Sequence, residues 1–282
     1  MKKGIMLRNG MLFPEIGIGT WQITDREIMQ QVIRSGYDAG YRLIDTAAAY
    51  RNEIAIAKAI EVIGLKRSEL MISDKVWNTN RGYEQVQEAC KRSLKKLKTD
   101  YLDLYLIHWP ASTKLYPDWE RINADTWRGM EKLYQDGFVK AIGVCNFKVH
   151  HLKKLKMTAE IMPMINQIEC HPGLTQIEIR EYCKSEQIVI EASSPLGNGQ
   201  ILKDKQLLEI GNRYEKTVAQ ICLRWAIQGE MIVIPKSISP DRIRQNADVF
   251  DFELTEDEYK QINALPYCGG VGIDPDEVTQ FG

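Results

Sequence analysis

The chain has 282 residues, of which 44% are hydrophobic, and its 37 basic residues almost balance its 38 acidic ones. This length and composition suffice for one large core, so we predict a single domain over residues 1–282. The balanced charge creates no overall field for nucleic acid or an anionic membrane, which leaves a small molecule as the expected partner. Apolar runs are too short for a bilayer span or a signal peptide, so we expect no membrane association.

The six cysteines are spread along the chain without any C-x-x-C spacing. This pattern predicts reduced thiols in a cytoplasmic protein and argues against a disulfide framework or a zinc site. Only four histidines are present, and two of them are adjacent, so we expect no dedicated metal centre. We take a monomer as the expected oligomeric state.

Eight short apolar segments rich in β-branched residues alternate with amphipathic segments of helical period. The predicted strands are 16–19, 43–46, 71–75, 102–108, 139–144, 164–168, 188–192 and 231–235. The predicted helices are 25–39, 53–63, 83–97, 124–135, 176–184 and 218–228. Such an alternation closes as a (β/α)8 TIM barrel or spreads as a doubly wound sheet.

Two features favour the α/β TIM barrel. The number of strands is the one a TIM barrel needs, and residues 17–21 (GIGTW) lack the third glycine of the dinucleotide-binding fingerprint. Ahead of the first barrel strand, Asn9-Gly10 between residues 5–8 and 11–13 predicts a β-hairpin with a type I′ turn that closes one barrel end. The irregular, aromatic segment 110–123 is predicted to be a loop facing the substrate.

Polar side chains stand at the predicted carboxyl ends of the strands, the edge at which barrel active sites form. In chain order they are Asp45, Lys75, His108, Asn146, Gln167, Ser194 and Lys236, with Tyr50 on the loop after the second strand. Singly, each has an ordinary explanation, such as a helix cap, a solvated lysine, a structural histidine or a packing tyrosine. Together they indicate a site at one rim of the barrel.

Four of these residues make chemical sense as a proton relay. A phenol titrates near pH 10, so Tyr50 needs help to exchange a proton at neutral pH. An ammonium at Lys75 would lower the pKa of Tyr50, and Asp45 would hold that lysine charged and oriented. His108 would then orient a substrate carbonyl by hydrogen bonding.

Seven ordered segments resemble the aldo-keto reductase family, and the resemblance runs from about residue 7 to residue 266. They are 40–47 (GYRLIDTA), 74–78 (DKVWN), 100–110 (DYLDLYLIHWP), 143–147 (GVCNF), 166–172 (NQIECHP), 194–197 (SPLG) and 234–246, which starts IPKS. The resemblance is greatest to microbial members that act on small dicarbonyls and keto-sugar acids, such as methylglyoxal and 2,5-diketogluconate. It implies a barrel reductase in which Asp45, Tyr50, Lys75 and His108 are catalytic.

The same resemblance implies NADPH as the cofactor. Asp45, Asn146 and Gln167 would hold the nicotinamide and its ribose, and Lys236 with Arg242 would suit the 2′-phosphate that distinguishes NADPH from NADH. The remaining implied cofactor contacts are Gly19, Thr20, Cys145, Ser193, Ser194, Leu196, Ser237, Gln245 and Asn246.

Two of those positions depart from the family pattern. Cys145 replaces a serine that is usual there and is a poorer hydrogen-bond donor. Ser193 replaces an aromatic residue that commonly stacks under the nicotinamide, so its ring must be positioned in another way.

Tryptophans follow three of the strands. With Tyr50 and His108, the indoles of Trp21, Trp77 and Trp109 are expected to wall an apolar substrate pocket. The other histidines are interpreted as structural: His171 in the fold, and the His150-His151 pair at an exposed helix start. The tail 269–282 is a specificity segment that the pattern does not place.

The predicted function is the NADPH-dependent reduction of aldehydes or ketones. Two alternatives stay open at this point: a nicotinamide-binding sensor or regulatory protein with little turnover, and a barrel hydrolase or isomerase that uses Asp45 and His108. The first has no need of a tuned phenol. The second leaves Lys236, Ser237 and Arg242 without a role.

Overall fold

A computed structural model describes residues 4–278 of the chain and contains a closed parallel barrel. Its eight strands pair in chain order from β3 to β10, and a bridge between Ile16 and Val233 joins the last strand to the first. The strands are β3 Gly17–Gly19, β4 Leu43–Asp45, β5 Met71–Val76, β6 Leu104–Ile107, β7 Ile142–Cys145, β8 Ile165–Glu169, β9 Val189–Ser193 and β10 Ile232–Val233. The predicted TIM barrel is therefore confirmed, with every predicted strand in place.

Helices connect the strands and surround the barrel. They are α1 Arg26–Asp38, α2 Glu53–Ile63, α3 Tyr83–Leu97, α4 Trp119–Gln135, α5 Val149–Lys156, α6 Ile177–Ser185, α7 Lys205–Tyr214, α8 Val218–Gln228, α9 Pro240–Ala247 and α10 Glu256–Asn263. The six predicted helices correspond to α1, α2, α3, α4, α6 and α8. None of the helices within residues 4–278 is long and apolar enough to cross a membrane.

The loop predicted for residues 110–123 is wrong over its last third, because α4 starts at Trp119. Pro117 cannot continue a preceding helix, and Asp118 with Glu120 places acidic groups at the positive end of the helix dipole. The irregular part of this connection therefore ends at Asp118.

The amino-terminal hairpin pairs β1 Gly4–Met6 with β2 Leu12–Pro14, as expected, but its turn differs from the prediction. Gly10 has a φ of +83° while Asn9 keeps an ordinary negative φ, and the Gly10 N–H donates to the Leu7 carbonyl. A type I′ turn needs positive φ at both central residues, so this turn is type I followed by a glycine bulge. The predicted type I′ turn is wrong.

The hairpin lies across the amino-terminal end of the barrel, opposite the rim that carries the polar residues. Asn9 donates to the carbonyl of Lys140 at 3.0 Å, and Arg8 donates to the carbonyl of Glu186 at 3.0 Å. Both acceptors precede barrel strands, and Phe13 is fully buried beneath the hairpin. This covered end leaves the carboxyl-terminal rim as the open face of the barrel.

Two outer helices approach each other closely at Gly129. A Cβ at this position would lie 2.3 Å from Val86 Cγ1 and 2.6 Å from the carbonyl oxygen of Tyr83, so α3 and α4 leave space only for hydrogen. The contact between α3 and α4 joins two helices of the outer layer, of which α3 also packs against β5 and α4 against β7.

We expect Gly129→Ala to lower the free energy of unfolding by about 2 kcal/mol, although alanine normally stabilises a helix by about 1 kcal/mol over glycine. Urea unfolding followed by circular dichroism measures the change. Gly64→Ala is the control, because its Cβ would meet open space and only the left-handed backbone at the end of α2 would be strained. A Gly129→Ala variant more stable than the wild type would contradict the close packing.

Candidate active site

A cleft of about 1480 Å³ opens at the carboxyl-terminal ends of the barrel strands. This volume exceeds the range of roughly 300–1,000 Å³ typical of sites for drug-sized ligands, so an extended molecule and a second small one can fit together. Among the residues predicted from the sequence, the cleft is lined by Gly19, Trp21, Asp45, Tyr50, Trp77, His108, Trp109, Asn146, Gln167, Ser193, Ser194, Leu196, Lys236, Ser237, Arg242, Gln245 and Asn246.

A buried ion pair lies under the floor of the cleft. Lys75, on β5, is fully buried, and its Nζ donates to both carboxylate oxygens of Asp45 at 2.7 Å and to the carbonyl of Thr46 at 2.8 Å. Burial opposes the charge on Lys75, but Asp45 and Tyr50 favour it, and the net result is a raised lysine pKa. The ammonium is therefore charged and fully hydrogen-bonded below the cleft.

Tyr50 ends a 3₁₀ turn, Ala48–Tyr50, on the loop between β4 and α2. The Nζ of Lys75 lies 5.2 Å from the centroid of the Tyr50 ring. Asn52, fully buried two residues later, accepts from the Thr46 hydroxyl at 2.6 Å and donates to the carbonyls of Thr20 and Ile23. These bonds anchor both ends of the loop and so fix Tyr50 beside the lysine.

Lys75 lowers the pKa of Tyr50, as predicted, but burial has a larger effect in the opposite direction, so the net pKa lies above the ordinary value of a phenol. Burial raises the pKa of Tyr50 to about 12, Lys75 acts in the opposite direction, and Asp45 adds a smaller upward shift. The ammonium is paired with Asp45 and so cannot offset the loss of solvation of the phenolate. At neutral pH the Tyr50 hydroxyl consequently holds its proton.

His108 follows β6 and faces both Tyr50 and Trp77. The ring centroids lie 5.8 Å from Tyr50 and 5.2 Å from Trp77, both in edge-on geometry. Burial, assisted by the nearby Lys75, holds the pKa of His108 well below its usual range. The imidazole is therefore neutral near pH 7 and can donate one N–H without adding charge to the site.

Asn146 and Gln167 occupy the next part of the rim. Asn146 adopts a left-handed φ of +61° and donates to the carbonyl of His108 at 2.9 Å, linking the ends of β7 and β6. Gln167 donates through its amide nitrogen to Asp45 at 3.0 Å and to Glu191 at 2.6 Å. The site is thus one connected network from Lys75 to β9.

Thr20 and Cys145 were predicted to contact a cofactor, but both side chains lie outside the lining of the cleft. Thr20 is fully buried, and its hydroxyl donates to the backbone carbonyl of Asp45 at 2.8 Å. Cys145 ends β7 with almost no exposure, and burial raises its thiol pKa well above the usual value. Both side chains are therefore packed in the protein interior next to the cleft and do not face it.

Ser193 ends β9 and Ser194 follows it, and both line the cleft, with Ser194 in a left-handed conformation at a φ of +44°. The chain then forms a kinked 3₁₀ segment, Gly197–Lys203, that begins next to Leu196 at the cleft wall. The small Ser193 side chain leaves open the space that an aromatic residue would fill.

The far end of the cleft is cationic. Lys236, Ser237 and Arg242 line it together, and neither cation forms an ion pair within the described part of the chain. Ser239 caps α9, Pro240 is at its first turn, and Gln245 and the buried Asn246 lie further along the same helix. This segment is therefore both the start of a helix and the cationic wall of the cleft.

The opposite end is walled by indoles and by the carboxyl-terminal tail. Trp21, Trp77 and Trp109 line the cleft together with Val271 to Pro275. Glu169 holds the tail by accepting from the backbone N–H groups of Val271 and Gly272 at 2.6 and 3.2 Å. The last four residues of the predicted specificity tail, 279–282, lie outside the described residues.

The tail also contacts two adjacent histidines at the start of α5, of which only one has the predicted exposure. His150 is exposed as predicted, but His151 is buried, and both lie 3.1–3.2 Å from the Asp276 carboxylate. Lys148 forms ion pairs with Asp276 and Asp274 at 2.9 and 2.5 Å. The tail contributes to the burial of His151 through a long-range contact that no local pattern in α5 reveals.

His171 has the structural environment that the sequence analysis expected. It is fully buried, and its Nδ1 lies 2.8 Å from the carbonyl of Pro172. Glu191, in contrast, was not predicted, although it is buried inside the barrel next to Gln167. A charged residue inside an otherwise apolar strand was the available signal.

Comparisons with known proteins agree with the geometry. Residues 15–266 match the Aldo/keto reductase family. The chain is 46% identical over 278 residues to the glyoxal reductase of Bacillus subtilis (strain 168), covering 99% of this chain and 98% of that protein. It is 40% identical over 280 residues to the methylglyoxal reductase DkgA of Escherichia coli (strain K12), again covering 99% and 98% of the two chains.

Solved structures give the same result. The crystal structure of a Bombyx mori aldo-keto reductase in complex with NADP superposes with a TM-score of 0.84 at 38% identity, covering 92% of this chain and 91% of that one. Since the family match extends from residue 15 to residue 266 and the relatives align over nearly the whole sequence, the chain belongs to the aldo/keto reductase family.

Proposed function

We propose that the protein reduces aldehydes and ketones to alcohols with NADPH, and that Tyr50 is the proton donor. The observation that carries the proposal is the convergence of a phenol, a buried ammonium and a neutral imidazole at the floor of one cleft. The family of the chain and the names of its two bacterial relatives point to the same reaction class.

The chemistry of the cleft fits NADPH. Lys236 and Arg242 are cations without ion-pair partners among residues 4–278, and a dianionic 2′-phosphate would give them one. Asn146 and the Gln167 carbonyl oxygen offer hydrogen bonds at the other end, where a carboxamide has both a donor and an acceptor. The silkworm relative was crystallised with NADP, which supports the same assignment.

When bound, NADPH supplies the hydride that reaches the carbonyl carbon. The chain's own residues do the rest: His108 donates a hydrogen bond to the carbonyl oxygen, and Tyr50 gives that oxygen its proton. Because the pKa of Tyr50 is about 12, its proton is present throughout the neutral range, which favours the reductive direction. Lys75 stabilises the phenolate that remains, and Asp45 holds Lys75 in position.

We expect the substrates to be small. The indoles of Trp21, Trp77 and Trp109 line the cleft together with Tyr50 and the tail segment, and bulky aromatic walls favour a small carbonyl compound. The relatives named glyoxal reductase and methylglyoxal reductase support small dicarbonyls as the first compounds to assay. The cytoplasmic location, the monomeric state and the single domain expected from the sequence stay predictions.

One observation favours a second candidate, a nicotinamide-binding protein with little turnover. Ser193 leaves the expected stacking position without a ring, which would loosen the nicotinamide. This candidate predicts NADPH binding without reduction of any carbonyl, so the same assays separate the two.

We expect Tyr50→Phe to lower kcat for methylglyoxal by about 10²- to 10⁴-fold, the usual contribution of a positioned acid, with an NADPH Kd within about twofold of the wild type. The decrease in NADPH absorbance measures turnover, and fluorescence titration measures binding. Tyr267→Phe is the matched control, since Tyr267 also lines the cleft but is an exposed residue after α10 and not part of the turn that holds Tyr50 beside Lys75. Normal reduction by Tyr50→Phe would show that the phenol is not the acid.

We expect the double variant Lys236→Ala/Arg242→Ala to raise KM for NADPH by about 10- to 100-fold, because two charge-assisted hydrogen bonds are lost. KM for NADH should change less than about threefold, since NADH has no phosphate at that position. Arg244→Ala is the control, because this neighbouring α9 arginine is paired with Asp241 and lies outside the cleft lining. Equal effects on the two cofactors would exclude the 2′-phosphate assignment.

A further inference from the structure

Glu191 is a buried carboxyl group that the proposed reaction does not use. It lies on β9 with no exposed surface, next to Gln167 of β8 on one side and Ile232 of β10 on the other. Strands buried on both sides are normally apolar, and a carboxyl group there costs free energy unless a partner compensates. The contacts of Glu191 therefore need an explanation.

Its partner is the amide of Gln167. The amide nitrogen has two N–H groups: one donates to Glu191 Oε2 at 2.6 Å, and the other donates to Asp45 Oδ1 at 3.0 Å. Asp45 is paired with the Lys75 ammonium and acts as a carboxylate acceptor, so a Gln167 carbonyl oxygen in that place would face a negative charge, and the amide points its N–H groups toward the two carboxyl oxygens. The Gln167 carbonyl oxygen is the polar atom left for the cleft.

We infer that Glu191 is a positioning residue that, together with Asp45, locks the Gln167 amide so that its carbonyl oxygen faces the bound cofactor. The inference rests on the proposed function, because it takes the nicotinamide carboxamide as the partner of that oxygen. With Asp45 as the sole acceptor, one N–H of the amide would lack a partner, and the Glu191 oxygen supplies that partner and adds a second restraint on the orientation of the amide.

The groups around Glu191 also determine whether its carboxyl group is neutral or charged. The groups that face it are Asp45 on β4, Lys75 on β5 and Cys145 on β7, besides Gln167. Lys75 is already paired with both oxygens of Asp45, and Glu191 Oε1 is buried without a hydrogen-bond partner in residues 4–278. Burial first and Asp45 second raise the pKa of Glu191 to about 8, so the group is neutral at pH 7 and becomes charged above that value.

A double-mutant cycle on cofactor binding tests the positioning role. We expect Glu191→Leu, which removes the acceptor at similar volume, to raise the NADPH Kd by about 3- to 10-fold. Gln167→Ala should cause a similar loss, and the double variant should bind no more weakly than Gln167→Ala alone, because Glu191 acts through that amide. Glu191→Gln, which keeps an acceptor, should restore most of the affinity. Additive losses would overturn the inference.

The pH dependence of binding provides a readout that a purely structural role would not move. A charged Glu191 favours the positive ring of NADP⁺ over the neutral ring of NADPH. In the wild type, the ratio of the NADP⁺ Kd to the NADPH Kd should therefore fall by at least about threefold from about pH 7 to about pH 9. The ratio should stay constant in Glu191→Gln, and a wild-type ratio that does not change would count against the inference.

Two checks keep the outcomes distinguishable. Urea unfolding of each variant, measured without cofactor, shows whether a weaker Kd reflects loss of the fold. If the wild type bound no NADPH, the proposed function itself would fail. If Gln167→Ala bound as tightly as the wild type, the contact between Gln167 and the carboxamide would be excluded, and the inference on Glu191 would be overturned while the proposed reaction stood. If Gln167→Ala bound weakly and Glu191→Leu bound normally, the failure would concern Glu191 alone.

Discussion

The ion pair between Lys75 and Asp45 is the interaction on which the rest of the site depends. Burying an ammonium and a carboxylate costs several kcal/mol for each ion, and only near-perfect geometry repays it. Here all three lysine donors have acceptors, at 2.7, 2.7 and 2.8 Å. The Thr20 hydroxyl donates to the backbone carbonyl of Asp45, and the Gln167 amide donates to its carboxylate. The ion pair thus connects the phenol of Tyr50 with the amide of Gln167.

The fold and most of the site could be predicted because they follow from local patterns and from topology. Parallel strands place their carboxyl ends at one rim, so Asp45, His108, Gln167 and Lys236 had to meet once the strands were identified. The strands could be identified because short apolar segments alternate with amphipathic segments of helical period. Family resemblance then supplied roles that spacing alone leaves open.

What the sequence could not reveal depends on contacts between distant segments. The pKa of Tyr50 is set mainly by burial in the assembled cleft, and His151 is buried among Trp119, Phe147 and the tail residue Asp276. Glu191 meets its hydrogen-bond partner Gln167 only because β8 and β9 pair side by side in the barrel. The turn at Asn9-Gly10 shows a different limit, since the same dipeptide fits a type I′ turn and a type I turn with a glycine bulge.

The most direct test of the account is to follow the reducing hydrogen itself. The wild-type protein is incubated with methylglyoxal and NADPH carrying deuterium at both C4 positions of the nicotinamide, and the alcohol is examined by mass spectrometry and NMR. The account predicts one deuterium on the former carbonyl carbon and an ordinary, exchangeable hydroxyl proton derived from the enzyme and solvent. An alcohol without deuterium on carbon, or no alcohol from any small aldehyde or ketone, would contradict it.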